Sequence, residues 1–142
     1  MRAPLISRPR VPALLVGSIA FAVLYWFSSA GLATLINWWF YPAPPDDLPE
    51  RIASSWLWHL FGWALYLVPG FLAGLFARRS GLMHGAIVGA LTAPIMALFI
   101  YAFGFWPSVE YSSFVYGLVL ALIWCSLAGL AGEWAASKVW PR

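Results

Sequence analysis

Charged side chains divide this chain into four long uncharged runs: Val11–Pro45, Ile52–Ala77, Ser80–Val109 and Tyr111–Gly132. Each run is overwhelmingly apolar, and none alternates between polar and apolar positions. A helix that crosses a bilayer needs about 20 apolar residues, because lipid offers no partner to an unpaired backbone N–H or C=O. Each run is long enough for one such helix, and none comfortably holds two. A transmembrane barrel would need short alternating strands, which the pattern lacks. The pattern therefore predicts an all-α integral membrane protein. It forms one transmembrane domain over residues 1–142, a four-helix bundle with up-down-up-down topology.

Proline and capping residues set the boundaries. Tyr41–Glu50 holds four prolines and three acids, which predicts an external loop over 41–48. The first helix is expected over 11–40. The second is expected over 49–78, with Pro49 in its first turn and Glu50 facing its positive end. The third is expected over 81–105, stopped by Trp106-Pro107. The fourth is expected over 112–138, with Ser112 as its N-cap. Pro69 and Pro94 fall inside the second and third helices, where each removes a backbone donor and predicts a kink.

With four crossings, Arg2, Arg8, Arg10, Arg78, Arg79, Lys138 and Arg142 share one side, against Arg51 alone on the other. Basic residues stay on the cytoplasmic side, so both termini are expected there. Asp46, Asp47, Glu50 and Glu110 fall outside, and Glu133 lies near the inner face. Arg2, Arg8 and Arg10 with Ser28-Ser29-Ala30 have the look of a secretory leader. The apolar run before Ala30 is too long for one and continues to Phe40, so an uncleaved first helix is expected.

Composition narrows the picture. Hydrophobic residues make up 63% of the chain and charged residues 9%, against about 25% charged in a soluble domain. The mean hydropathy is +0.81. Water-soluble folding, disorder and nucleic-acid binding are excluded on this balance. The single cysteine forbids an intrachain disulfide.

Helices in lipid associate through close packing, often at small residues. The third helix carries Gly81, Gly85, Gly89 and Ala93 at spacing four, a glycine zipper. The second ends with Gly70, Ala73, Gly74 and Ala77 on one face. The fourth adds Gly117, Ala121, Cys125, Gly129 and Gly132. The short turn Arg78-Arg79-Ser80 makes the second and third helices a hairpin, so Gly85 is expected to face the Gly70/Gly74 stripe. Trp38, Trp39, Tyr41, Trp56, Trp58, Trp106 and Tyr111 gather at the outer boundary, and Trp134 and Trp140 at the inner one, as interfacial anchors. The other reading of Trp56, Trp58 and His59 is an aromatic lining for an outer pocket.

Candidate chemistry is sparse. No Asp, Glu, Lys or Arg lies in the middle of any predicted helix, which weighs against a proton-coupled carrier. The chain departs from the small multidrug-resistance transporters, whose first helix carries an embedded glutamate. His59 and His84 are expected about 20 Å apart along the membrane normal and cannot ligate one metal ion within a monomer. His84 and Glu133 lie at similar depth and are candidates for a polar contact. Cys125 reads as a packing residue. The serine pairs lack a GxSxG turn or a paired base. The expectation is no enzyme and no cofactor.

The stretch from Pro69 to Gly89 combines a glycine-rich helix end, a basic turn and a His84-Gly-x₃-Gly89 helix start. It resembles the central hairpin of small bacterial multi-helix inner-membrane proteins of unknown function. The resemblance implies a bacterial inner-membrane location and supplies no activity. The expected function is non-catalytic: an accessory or assembly subunit, or a homo-oligomer, acting on membrane lipid, another membrane protein or itself. The alternative is a small permease or channel for a neutral or apolar solute, with Pro94, Thr92, Tyr66 and Tyr101 lining its path.

Overall fold

The structure is a computed structural model. It describes residues 10–40, 45–103 and 111–140, and among these the chain is helical with no strand. Six α-helices occur: α1 (Val11–Trp26), α2 (Leu32–Trp39), α3 (Leu48–Ser54), α4 (Trp56–Ala77), α5 (Gly81–Phe103) and α6 (Tyr111–Val139). Three apolar stretches, Trp58–Ala77, Gly81–Ala102 and Val115–Val139, are long enough to cross a membrane, while Val11–Trp26 is apolar but shorter. Arg2, Arg8, Arg142, the loop residues 41–44 and the predicted stop at Trp106-Pro107 lie outside the described residues.

A π-helical turn, Phe27–Gly31, joins α1 to α2. Phe27 and Gly31 keep right-handed helical backbone, so the helical path continues from Val11 to Trp39. One widened turn leaves a carbonyl out of register, a device common at functional positions. Here the Ser28 hydroxyl donates to the Tyr25 carbonyl at 2.8 Å, and Gly31 is packed against the rings of Trp26 and Phe27.

The helix expected over 49–78 is two helices. The backbone of Ser55 is extended (φ −73°, ψ 141°), which ends α3 and starts α4. Its Oγ accepts the Trp58 N–H at 3.2 Å, satisfying one of the orphan donors of the first turn. Before it, α3 carries an exposed Arg51–Asp47 ion pair, worth little in water. Helix α5 runs unbroken through Pro94. Helix α6 already includes Tyr111, one residue before the expected start, so Ser112 lies within its first turn and not at the N-cap position.

Between α4 and α5 the chain reverses over three residues. Arg78 and Ser80 both take left-handed backbone, φ 58° and 57°. The Arg78 N–H returns to the Gly74 carbonyl at 3.1 Å, closing the end of α4.

Helix α6 packs along both α4 and α5, and α1 packs along the same two helices, with no close backbone approach to α6 among the described residues. The hairpin α4–α5 is thus the middle of the assembly. Most of the buried positions are small, among them Ala13 and Gly17 on α1; Gly70, Ala73, Gly74 and Ala77 on α4; and Ala121, Cys125, Ala128, Gly129, Gly132 and Ala136 on α6, while Phe21, Pro69, His84, Val88 and Thr92 are the larger side chains buried with them. The large apolar side chains face outward, among them Leu15, Ile19 and Val23 on α1 and Val119, Ile123, Leu127 and Leu130 on α6. A water-soluble protein does the opposite. Surface of this kind is stable only against lipid or another protein.

Candidate functional site

The densest feature of the molecule is the seam where α6 lies on the hairpin. The Cys125 carbonyl sits between Gly70 of α4 and Gly85 of α5, and one turn later the Gly129 carbonyl sits between Gly74 and Gly81. Gly89 rests on the Ala121 carbonyl. In return, Gly129 touches the Gly81 carbonyl, and Gly132 touches the backbone of Phe71 and Leu75. A methyl group at any of these seven glycines would overlap backbone atoms of the neighbouring helix. The absent side chains let glycine Cα–H groups approach carbonyl oxygens, a weak attraction that repeats along the seam.

The seam corrects the expected pairing. Gly85 does not face Gly70 and Gly74. Both stripes turn to the same third helix, because the left-handed turn at Arg78 and Ser80 aims them jointly at α6. Gly117, expected in the same stripe, is not closely packed. A methyl there would meet only the Tyr66 hydroxyl, at 3.9 Å. At that level the aromatic side chains of Trp58, Trp63, Tyr66, Tyr116 and Trp124 hold α4 and α6 apart around a cleft of about 380 Å³. Trp63 and Trp124 meet edge to face across it, with centroids 4.7 Å apart.

Gly17 is the packing residue that the sequence reading missed. A methyl on it would lie 2.8 Å from Val88 Cγ2 and 2.9 Å from the Pro69 carbonyl oxygen. The signal was present as Ala13-x₃-Gly17-x₃-Phe21, and all three residues are buried.

Two polar contacts between helices lie at the end that carries the α4–α5 turn. His84 is 1% exposed. Its Nε2 accepts the Arg10 backbone N–H at 2.9 Å, and its Nδ1 lies 2.9 Å from the Ser80 carbonyl. An amide N–H can only donate, so Nε2 is unprotonated and Nδ1 carries the proton given to Ser80. This network assigns the neutral tautomer. Glu133 Oε2 accepts the Gly81 N–H at 2.6 Å, so a side chain of α6 caps α5. His84 and Glu133 thus flank the same turn, each satisfying a different partner. Neither meets the other through a hydrogen bond among those described.

The remaining candidates are dispersed. His59 is exposed and lines the aromatic cleft with Trp58, whereas Trp56 stands outside it. Thr92 is buried, its hydroxyl donating to the Gly89 carbonyl at 2.6 Å, while Pro94 and Tyr101 are on the outer surface of α5. Tyr66 lies at the α4–α6 face, its carbonyl accepting the Cys125 thiol at 3.1 Å. These four residues do not meet along one path. Among the described residues, no three His, Cys, Asp or Glu side chains lie close enough to share a metal ion.

Apolar helices of spanning length, small residues inside and large apolar residues outside define an all-helical membrane protein. No family model, curated protein or solved structure matches the chain.

Proposed function

We propose that this chain is a non-catalytic protein of the bacterial inner membrane. It crosses the bilayer four times with both termini in the cytoplasm, and it acts through contacts with lipid and with a membrane-protein partner or a second copy. The helical path Val11–Trp39 supplies the fourth crossing, since it spans about 43 Å at 1.5 Å per residue, more than the ~30 Å of hydrocarbon. The start of α1, the α4–α5 turn and the end of α6 meet at one end, where Arg10, Arg78 and Trp140 line a common cleft. That arrangement supports the up-down-up-down order, and the basic residues there support a cytoplasmic assignment.

The observation that carries the functional reading is the seam. From Gly70 to the α4–α5 turn, backbone-to-backbone contact occupies the space between α4, α5 and α6, and the cleft between α4 and α6 lies beyond it. The surface left for function is the outside. Among the described residues, the backbone of α2 does not run close to α4, α5 or α6, and Leu35, Trp38 and Trp39 are exposed. Beside it, an apolar cleft of about 350 Å³ runs between Ile36 and Phe40 on one wall and Leu48, Ile52 and Trp58 on the other. This end offers aromatic contact area, with the Arg51–Asp47 ion pair at its edge, and aromatic side chains are enriched in buried contact surfaces.

The test is purification in mild detergent with the particle mass measured by light scattering and the content by mass spectrometry. The reading expects a stoichiometric membrane-protein partner or a defined homo-oligomer. A partner-free monomer that carries neutral solute across vesicle membranes would contradict it and favour the permease.

A further inference from the structure

At the end of the molecule that carries Arg10 and Arg78, a cleft of about 400 Å³ opens between α1 and α4. Pro12, Ala13, Leu75 and Phe76 form its apolar wall, and Trp140 closes one side. Arg10 and Arg78 stand at its mouth, both exposed. We infer that this cleft is a binding site for the phosphate of an anionic phospholipid, with the two guanidinium groups on the phosphate and the apolar wall along the acyl chain.

Four observations support the assignment. First, both arginines are fixed at the backbone: Arg10 through its N–H on His84, and Arg78 through its N–H on the Gly74 carbonyl. The charges are placed by the fold and are not carried on a loose tail. Second, neither arginine has a carboxylate partner among the described residues. The described ion pair, Arg51–Asp47, lies on α3, and Glu133, the described acid near this turn, is engaged with the Gly81 N–H. Third, the Arg78 guanidinium lies 4.9 Å from the Trp140 ring centroid. Stacking on indole holds the fork at the depth where tryptophan anchors and lipid phosphates lie. Part of the Arg78 charge complements the C-terminus of α4, and the N-terminus of α1 adds a positive end beside Arg10. Fourth, the wall below is continuous with the lipid-facing surface, since Phe76 is half exposed and Val11 and Leu15 lie nearby on α1. A free phosphate would use the guanidinium groups and leave this wall idle.

The inference rests on the membrane reading above and adds a ligand class. The experiment uses the full chain in neutral detergent. Thermal stability is followed during titration with phosphatidylglycerol, with phosphatidylcholine of the same acyl chains, and with inorganic phosphate. Ligands that bind only the folded state raise the midpoint. Phosphatidylglycerol is expected to raise it, with little response to phosphatidylcholine or to millimolar phosphate. Each of Arg10→Gln and Arg78→Gln is expected to weaken the phosphatidylglycerol response at least about five-fold, the loss of one direct charge-assisted hydrogen bond to the phosphate. Arg79→Gln removes the same charge beside the cleft without lining it, and is expected to change the response less than two-fold. Should Arg78→Gln fail to fold, Arg10→Gln decides alone, because its backbone tie to His84 is kept. Equal responses to the two lipids, or equal losses in Arg10→Gln and Arg79→Gln, would overturn the site. A response to inorganic phosphate with the same arginine dependence would overturn the lipid as ligand. Carbonate extraction of the cell membranes, before detergent is added, reports membrane insertion separately, so failure of the site is distinguishable from failure of the membrane reading.

Discussion

Individual glycines in this chain differ sharply in what surrounds them. Gly85 has the α6 backbone at Cys125 and Ser126 against it, whereas Gly117 has only a distant hydroxyl. Gly85→Ile forces four heavy atoms into a backbone contact, and overpacking of that kind costs about 1–3 kcal/mol or more. Leu82, three residues earlier and 51% exposed, is the control, and Leu82→Ile should be nearly neutral. Gly117→Ala should be neutral or slightly stabilising, since alanine favours helix by up to ~1 kcal/mol. The readout is thermal stability and monodisperse yield in detergent. Equal behaviour of Gly85→Ile and Leu82→Ile would remove the seam from the account. Spacing revealed that these glycines lie on stripes, because i, i+4 positions share a face. It could not say which helix fills each stripe, and the partner of Gly85 was expected on the wrong helix for that reason. Nor could it show that Gly117 lies where aromatic side chains push the helices apart. A one-dimensional pattern contains no crossing point.

Between elements, a few polar contacts fix how helices end. The buried His84 joins the start of α1 to α5, and Glu133 joins α6 to the start of α5. His84→Leu keeps similar bulk but leaves the Arg10 N–H without its acceptor. An orphaned donor costs about 1–3 kcal/mol. The thermal midpoint should fall accordingly, and His84→Gln, which retains an acceptor, should recover part of the loss. A His84→Leu protein as stable as the wild type would show that the contact does not order α1. His84 and Glu133 were legible as polar residues of similar depth near one turn. Their separate partners were not, because both partners are backbone groups and every residue offers those. The break at Ser55 could have been read from a serine preceding the apolar run Trp56–Trp58. The absence of charge after Arg51 pointed instead to one continuous helix, and the N-cap hydrogen bond decided otherwise. The π turn at Phe27–Gly31 left no comparable signal, since a single widened turn leaves the apolar run uninterrupted.

On the scale of the whole molecule, the reading rests on an inverted distribution of size: small residues inside, large apolar residues outside, charges at the ends. The extents of the long helices were legible because charge is costly within lipid, so charges mark where helices leave it. Direction across the bilayer is measured directly on cells. A reporter active only in the cytoplasm, fused after Arg142, should give full signal, and the same reporter inserted within 42–49 should give none. Signal from the 42–49 insertion together with silence from the Arg142 fusion would contradict the orientation, and signal at both positions would contradict the three crossings by α4, α5 and α6 that lie between them.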